Sequence, residues 1–267
     1  MQQARDFRDE ADTLAAVLQP LSDADFNQRT LFKDWTINDV IGHLHMFDHA
    51  ALLTLQSREA FNGFFGRIAR DLQQGRTLLQ SQIPWLDGLH GRALFAAWHE
   101  TAGKVADAYA SADPKQRVAW GGPDMSVLSC ITARQMETWA HGQEVFDALG
   151  QVRQDTDRIR NICHLGVSTY GWTFANRKLP MPVPAPFVEL TAPSGAIWTW
   201  NDPASDARIA GSATGFAQIV TQVRNVADTD IKATGDAAIR WMQIAQCFAG
   251  PPETPPVPGS RHREAGA

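Results

Sequence analysis

Three histidines lie close together in the stretch WTINDVIGHLHMFDHA: His43, His45 and His49. A second stretch, RQMETWAHGQEV, places Glu137 and His141 four residues apart. On a helix, that spacing puts a carboxylate and an imidazole on one face, one turn apart, where both can bind the same divalent cation. Such a cation needs a third protein ligand from another element, and the first stretch holds the candidates.

His43 is the best candidate for this third ligand. It shares a helical face with the apolar residues Val40 and Phe47, so it is expected to point into a helical bundle, where facing helices commonly assemble metal sites. Two imidazoles and one carboxylate suit zinc, and they also suit iron, nickel or manganese. Three protein ligands leave coordination positions open, which is typical of catalytic rather than structural sites.

Residue spacing leaves other interpretations open. His45 and His49 are also four residues apart, and so are Asp39 and His43. A histidine on an apolar helical face can also be an ordinary hydrogen-bonded core residue. Further polar side chains are candidates for orienting an imidazole, pairing with the carboxylate or binding an anionic substrate: Asp39, Asp48, Arg134 and Glu144.

The elements that must position these side chains are predicted to be helices. Thr36 and Asp39 form a capping-box pattern at a helix start, and Gly150 is a typical helix end. Apolar residues recur at the helical period in these segments: 4–19, 37–57, 59–80, 91–111 and 125–149. Strand patterns are nearly absent from this half, which predicts a helical bundle over residues 1–155.

After about residue 156 the pattern changes to an α+β domain, predicted to run to residue 250. A helix is expected over 156–175, and the stretch FVELTAPSGAIWTWN reads as a β-hairpin. RIAGSATG and DIKATGD are predicted strands, followed by helices over 214–224 and AAIRWMQIAQCFAG. Residues 251–267 are rich in proline and polar side chains and are expected to be disordered. The predicted fold class is therefore α+β.

Composition excludes several classes of protein. The chain has 267 residues, 44% of them hydrophobic, which is enough for a sizeable core. The net charge of −5 and the lack of a basic block argue against nucleic-acid binding. No run of apolar residues is long enough to span a membrane, and the start lacks an apolar signal core, so a cytoplasmic protein is expected. Its three scattered cysteines fit a reducing compartment. A monomer and a homodimer are both compatible with the sequence.

Two blocks of the first half resemble a known family. DWTINDVIGHLHMFDHA and ETWAHGQEVFDALG are similar to the signatures of the mycothiol-dependent maleylpyruvate isomerase family, and the likeness covers roughly residues 1–150. These proteins belong with the DinB-like four-helix bundles, whose metal site uses two histidines and a glutamate. The resemblance implies His43, Glu137 and His141 as metal ligands, and it assigns no such role to His45 or His49.

The second half resembles different sequences. IVTQVRNVADTDIKATGDAAIRWMQIAQCFAGPP looks like the C-terminal region of actinobacterial metal-binding proteins that are labelled with wyosine base formation. The predicted strands and helices are also similar to the sterol-carrier-like domains attached to maleylpyruvate isomerases. The sequence shows no cysteine cluster for an iron–sulfur centre and no basic stripe, so it gives the wyosine label no chemical support.

These observations lead to one functional expectation and several rivals. The resemblance implies a metal-dependent isomerase or S-transferase that uses a low-molecular-weight thiol cofactor and acts on a small-molecule substrate. A non-catalytic protein that binds a metal or an apolar small molecule is the first rival. A metal-assisted hydrolase, with Glu144 or an aspartate as base, is the second. An iron oxygenase fits the same ligand types.

Overall fold

The computed structural model describes residues 1–261, and the chain divides into two units, Met1–Leu149 and Gly150–Ala267. The first unit is helical and the second combines helices with a sheet, as predicted. No helix within residues 1–261 is both long and apolar enough to span a membrane.

The first unit is built mainly from helices. Their bounds are α1 Gln2–Leu18, α2 Ile37–Gln56, α3 Arg58–Gln73, α4 Leu78–Leu86, α5 Gly91–Ser111 and α6 Val127–Ala148. Two short strands, β1 Arg117–Val118 and β2 Met125–Ser126, pair antiparallel before α6. The four long helices form the bundle, in which α2 packs against α5 and α6, and α1 packs against the same two helices. Its core includes the fully buried Trp98 and Leu14.

Local sequence signals explain where the two helices of the candidate site begin and end. Thr36 and Asp39 form the predicted capping box at the start of α2. The side chain of Ser126 accepts a hydrogen bond from the backbone of Ser129 and so caps α6. Gly150 follows α6 with φ of 65°, a left-handed conformation that glycine adopts without strain.

The single helix predicted over 59–80 is two helices in the structure. Gly75 has φ of 80°, which interrupts the helical backbone after α3. Thr77 then starts α4 with a second capping box, in which Gln80 is the partner. The apolar period continues through this break, which is why the period alone predicted one helix.

A short hairpin, residues 28–37, leads into α2. Arg29 and Thr36 pair antiparallel, and the N–H of Thr30 donates to the carbonyl of Trp35 at 2.7 Å. At its tip, Lys33 and Asp34 have φ of 51° and 57°. The N–H of Trp35 donates to the carbonyl of Phe32, so these four residues have the pattern of a type I′ turn. Such turns prefer Asn-Gly, and each side chain here costs on the order of 1 kcal/mol.

We therefore expect Asp34→Gly to be more stable than Asp34→Ala by about 1 kcal/mol, because only glycine relieves the left-handed strain. That difference corresponds to roughly 2–4 °C in Tm for a unit of this size. Thermal unfolding followed by circular dichroism measures it. Both variants remove the same carboxylate, so an alanine variant as stable as the glycine variant would contradict a strained turn.

The second unit contains a four-stranded sheet with helices. The elements are α7 Arg160–Ser168, α8 Tyr170–Asn176, β3 Phe187–Thr191, β4 Ile197–Trp200, β5 Arg208–Ser212, α9 Ala213–Val220, β6 Lys232–Thr234 and α10 Asp236–Ile244. The strand order is β4-β3-β5-β6. The predicted hairpin is present as the antiparallel β3–β4 pair, whereas β3 and β5 pair in parallel. The helix predicted over 156–175 is divided into α7 and α8.

The proline-rich end of the chain was expected to be disordered. Within residues 251–261 the structure instead shows hydrogen bonds, from the N–H of Glu253 to Gln246 and from the amide of Asn225 to the carbonyl of Pro256. These bonds satisfy backbone groups of a segment that prolines keep extended. The remainder of that expectation, over residues 262–267, lies outside the described residues.

Candidate metal centre

Helices α2 and α6 bring His43, Glu137 and His141 together. One ligand atom of each lies within 4.8 Å of the others. Nε2 of His141 is 3.4 Å from Oε2 of Glu137, and Nε2 of His43 is 3.6 Å from the same oxygen. The structure therefore collects in one place the three residues that the sequence resemblance implied as metal ligands.

The distances from the glutamate oxygen to the two imidazoles fit a small divalent cation. Zinc–ligand bonds of about 2.0–2.1 Å in tetrahedral geometry place neighbouring donor atoms roughly 3.4 Å apart. The distances of 3.4 and 3.6 Å from the glutamate oxygen to the two imidazole nitrogens match that edge. The side chain of Glu137 is 26% exposed, so the cluster is open to solvent on one side.

Aromatic rings surround the two imidazoles. The ring centroid of Trp35 is 5.6 Å from that of His43 and 6.2 Å from that of His141, and it is nearly parallel to the latter. Phe32 meets His141 edge-on at 5.2 Å, and Phe47 lies 4.8 Å from His43. Apolar rings thus line the cluster, and surroundings of low polarity strengthen electrostatic interactions.

Burial and neighbouring charges shift the pKa values of the cluster in opposite directions. Burial lowers the pKa of His43 to about 4, although Glu137 opposes that change. Burial raises the pKa of Glu137, but the facing rings of His141 and His43 outweigh it and the pKa lies below its usual value. At neutral pH the cluster thus holds a neutral His43 imidazole and an ionised carboxylate, which are the protonation states that metal binding requires.

The second nitrogen of each imidazole lacks the partner that metal-binding histidines usually have. Nδ1 of His43 and Nδ1 of His141 are buried without a hydrogen-bond partner among residues 1–261. Asp39, a predicted partner, instead accepts hydrogen bonds from the backbone N–H and the hydroxyl of Thr36. Capping α2 occupies this carboxylate, so it does not orient the ring of His43.

Asp48 and Arg134, two other predicted site residues, pair with each other. Nε of Arg134 donates to Oδ1 of Asp48 at 2.9 Å, and the indole N–H of Trp98 donates to Oδ2 at 3.1 Å. Both charged side chains are almost fully buried, at 1% and 0% exposure. Burial raises the pKa of Asp48, and Arg134 opposes that rise. Arg134 therefore does not pair with Glu137 and does not present its charge to a substrate.

The remaining predicted candidates lie outside the cluster. Glu144 is buried on α6 but is not among the three side chains of the cluster. His45 and His49 face another side of α2, where the ring of Trp85 lies 5.1 and 5.7 Å from theirs. The competing histidine pair thus contacts a different set of residues from the three-residue cluster.

Sequence reasoning missed the role of Phe32, because nothing in LFKDWT marks a turn of the usual type. The available signal was the pair of aromatic residues that flank the two polar residues of the tip. Residues on either side of a two-residue hairpin turn lie opposite each other.

Comparison with known proteins agrees with this description. Residues 7–146 match the family described as "Mycothiol maleylpyruvate isomerase N-terminal domain". The chain is 38% identical over 247 residues to "Uncharacterized protein MT0041" of Mycobacterium tuberculosis strain CDC 1551 / Oshkosh, covering 92% of this chain and 95% of the relative. "Uncharacterized protein Rv0036c" of strain ATCC 25618 / H37Rv matches with the same identity and coverage.

Two solved structures share the fold. A crystal structure of the mycothiol-dependent maleylpyruvate isomerase has a TM-score of 0.54 at 14% identity, covering 87% of this chain and 91% of that one. A histidine mutant of that enzyme has a TM-score of 0.50 at 14% identity, covering 82% and 87%. The signatures around the cluster, the sequence match and the fold lead to one conclusion: the chain belongs to the mycothiol maleylpyruvate isomerase N-terminal domain family.

Proposed function

We propose that this protein is a divalent-metal-dependent isomerase or S-transferase that uses a low-molecular-weight thiol, with zinc as the metal. The observation that carries the proposal is the convergence of His43, Glu137 and His141, whose donor atoms lie within 4.8 Å of one another around a glutamate that solvent reaches. The solved enzyme of similar fold is named as a mycothiol-dependent maleylpyruvate isomerase, which supports a thiol cofactor.

The residues of the cluster and the rings around it would have different roles in this site. The two Nε2 atoms and Oε2 of Glu137 would hold the cation. When bound, such a cation supplies Lewis-acid chemistry and lowers the pKa of a thiol that coordinates it. Phe32, Trp35 and Phe47 would line the site beside the imidazoles, and thiol and substrate would approach at the exposed part of Glu137. Zinc fits the two nitrogen donors and one oxygen donor.

A cobalt-substituted protein tests the thiol role directly. We expect 2-mercaptoethanol to produce a sulfur-to-cobalt charge-transfer band, because the ligand set leaves a coordination position for the sulfur. Ethylene glycol, which has oxygen in place of sulfur, is the matched control and should give no such band. The Glu137→Gln variant, which loses the anionic ligand, should give a weaker band at the same cobalt concentration.

The outcome also separates this proposal from its rivals. Cobalt binding without any response to thiol would contradict thiol use and would favour a metal-binding protein or a metal-assisted hydrolase. The absence of cobalt binding by the wild-type protein would overturn the metal site itself.

A further inference from the structure

The imidazoles of the cluster are oriented without hydrogen bonds to their outer nitrogens. In metal sites the second ring nitrogen usually donates to a carboxylate or carbonyl, which fixes the direction of the metal-facing nitrogen. Here Nδ1 of His43 and Nδ1 of His141 are buried and have no such partner within residues 1–261. The acidic residues of α2, Asp39 and Asp48, bond to Thr36 and to Arg134. Hydrogen bonds at the outer nitrogens therefore do not set the direction of the two rings.

Trp35 is placed to do this. Its indole contacts both imidazoles, at 5.6 and 6.2 Å between ring centroids, although those imidazoles come from different helices. Phe32 packs edge-on against Trp35 at 5.2 Å and against His141 at the same distance. Rings in such contact restrict one another's rotation, because turning one would bring it into the next.

The backbone that carries these two rings is strained. Phe32 and Trp35 flank Lys33 and Asp34, which both adopt positive φ. Strain of this kind persists only where surrounding contacts over-determine it, and it collects at functional sites. Those contacts are present, since the hydroxyl of Thr30 donates to the carbonyl of Trp35 at 2.9 Å and Arg29 donates to the carbonyl of Asp34 at 2.9 Å.

We propose that Trp35, held by the strained tip of the 28–37 hairpin, is a positioning residue that keeps Nε2 of both imidazoles directed at Oε2 of Glu137. This inference rests on the proposed metal site. Ring packing replaces the hydrogen bonds at Nδ1 that orient the imidazoles in other metal sites. Two nitrogens from different helices are thereby aligned by one side chain, so removing that side chain affects both.

The test compares Trp35→Leu with Trp85→Leu. Trp85 is a matched control, because its partly buried indole also contacts two imidazoles of α2 residues, at 5.1 and 5.7 Å, and neither is in the cluster. We expect Trp35→Leu to weaken cobalt binding by about 10–100-fold, the range for lost outer partners of metal ligands, and to change the cobalt absorption spectrum. Trp85→Leu should lose thermal stability but keep the wild-type affinity and spectrum.

A conservative variant separates positioning from general packing. Trp35→Phe keeps an aromatic ring and should recover most of the affinity and the wild-type spectrum. Equal cobalt affinity and spectrum in Trp35→Leu and in the wild type would overturn the inference, and so would an equal loss in Trp85→Leu.

Nitrogen NMR of the histidine side chains, recorded without metal, keeps the inference testable apart from the metal site. We expect Trp35→Leu to change the tautomer or the ring environment of both His43 and His141, whereas Trp85→Leu should leave them as in the wild type. If the wild-type protein bound no cobalt, the proposed function would fail, and these spectra would still decide whether Trp35 positions the rings. Unchanged spectra in Trp35→Leu would overturn its role.

Discussion

A His141→Ala variant is expected to bind a divalent cation at least about a hundredfold more weakly than the wild-type protein. Structural zinc sites with four ligands bind with about 10–16 kcal/mol, so each ligand contributes roughly 3 kcal/mol, or about two orders of magnitude. Nε2 of His141 lies 3.4 Å from Oε2 of Glu137, and the substitution removes this donor while leaving the helix intact. Competition against a chromophoric chelator and elemental analysis of the purified protein measure the loss.

His45→Ala is the matched control for this prediction. Its imidazole lies on α2 near His43, but its ring contacts Trp85 and not the cluster. We expect the cation affinity of His45→Ala to equal that of the wild type. Equal metal content in His141→Ala and the wild type would remove the basis of the proposed site, and an equal loss in both variants would mean that the residues had been wrongly assigned.

An Asp48→Asn variant is expected to lose about 3–5 kcal/mol of unfolding free energy. Arg134 is 1% exposed, so it would keep a buried charge without an anionic partner. The amide oxygen of asparagine can still accept the hydrogen bond of Trp98, so the loss reports mainly on the charge pair. Urea unfolding followed by circular dichroism measures the change, which is large compared with the stability of a typical domain.

Two further variants show whether burial is the cause. Asp124→Asn breaks an ion pair with Arg58 whose side chains are 38% and 53% exposed, and it should cost about 1 kcal/mol or less. Combining Asp48→Asn with Arg134→Met removes both buried charges and should cost less than the sum of the two single substitutions. Similar losses for Asp48→Asn and Asp124→Asn, or strict additivity in the double variant, would contradict this account.

The candidate cluster was predictable because helical periodicity is a local property. The four-residue spacing of Glu137 and His141 places them on one face wherever the helix lies, and the apolar neighbours of His43 show which face of α2 is buried. The family resemblance then chose among the alternatives that spacing had left open. Capping at Thr36 and at Gly150 set the ends of the two helices.

The partners of Asp48 and Arg134 were not predictable in the same way. The pairing of charged side chains from two helices depends on how each helix is rotated about its own axis. Local sequence patterns carry no information about that rotation. The 28–37 hairpin was missed because Lys33 and Asp34 adopt a turn that normally carries Asn-Gly. The parallel pairing of β3 with β5 joins two strands between which β4 lies in the sequence. Local strand and turn signals identify only hairpins of consecutive strands, so they did not predict this pairing.

The three candidate ligands of the proposed metal site come from two helices, α2 and α6, which has a consequence for how the protein would mature. Neither helix alone offers a complete set, so a partly folded chain in which α2 and α6 are not yet packed together brings at most two of the three side chains to one place. A cation that binds only the finished bundle draws the equilibrium toward it, by an amount that grows with the free-ion concentration. Metal supply in the cell would then govern how much of this polypeptide survives as folded molecules, in addition to how much of it is active.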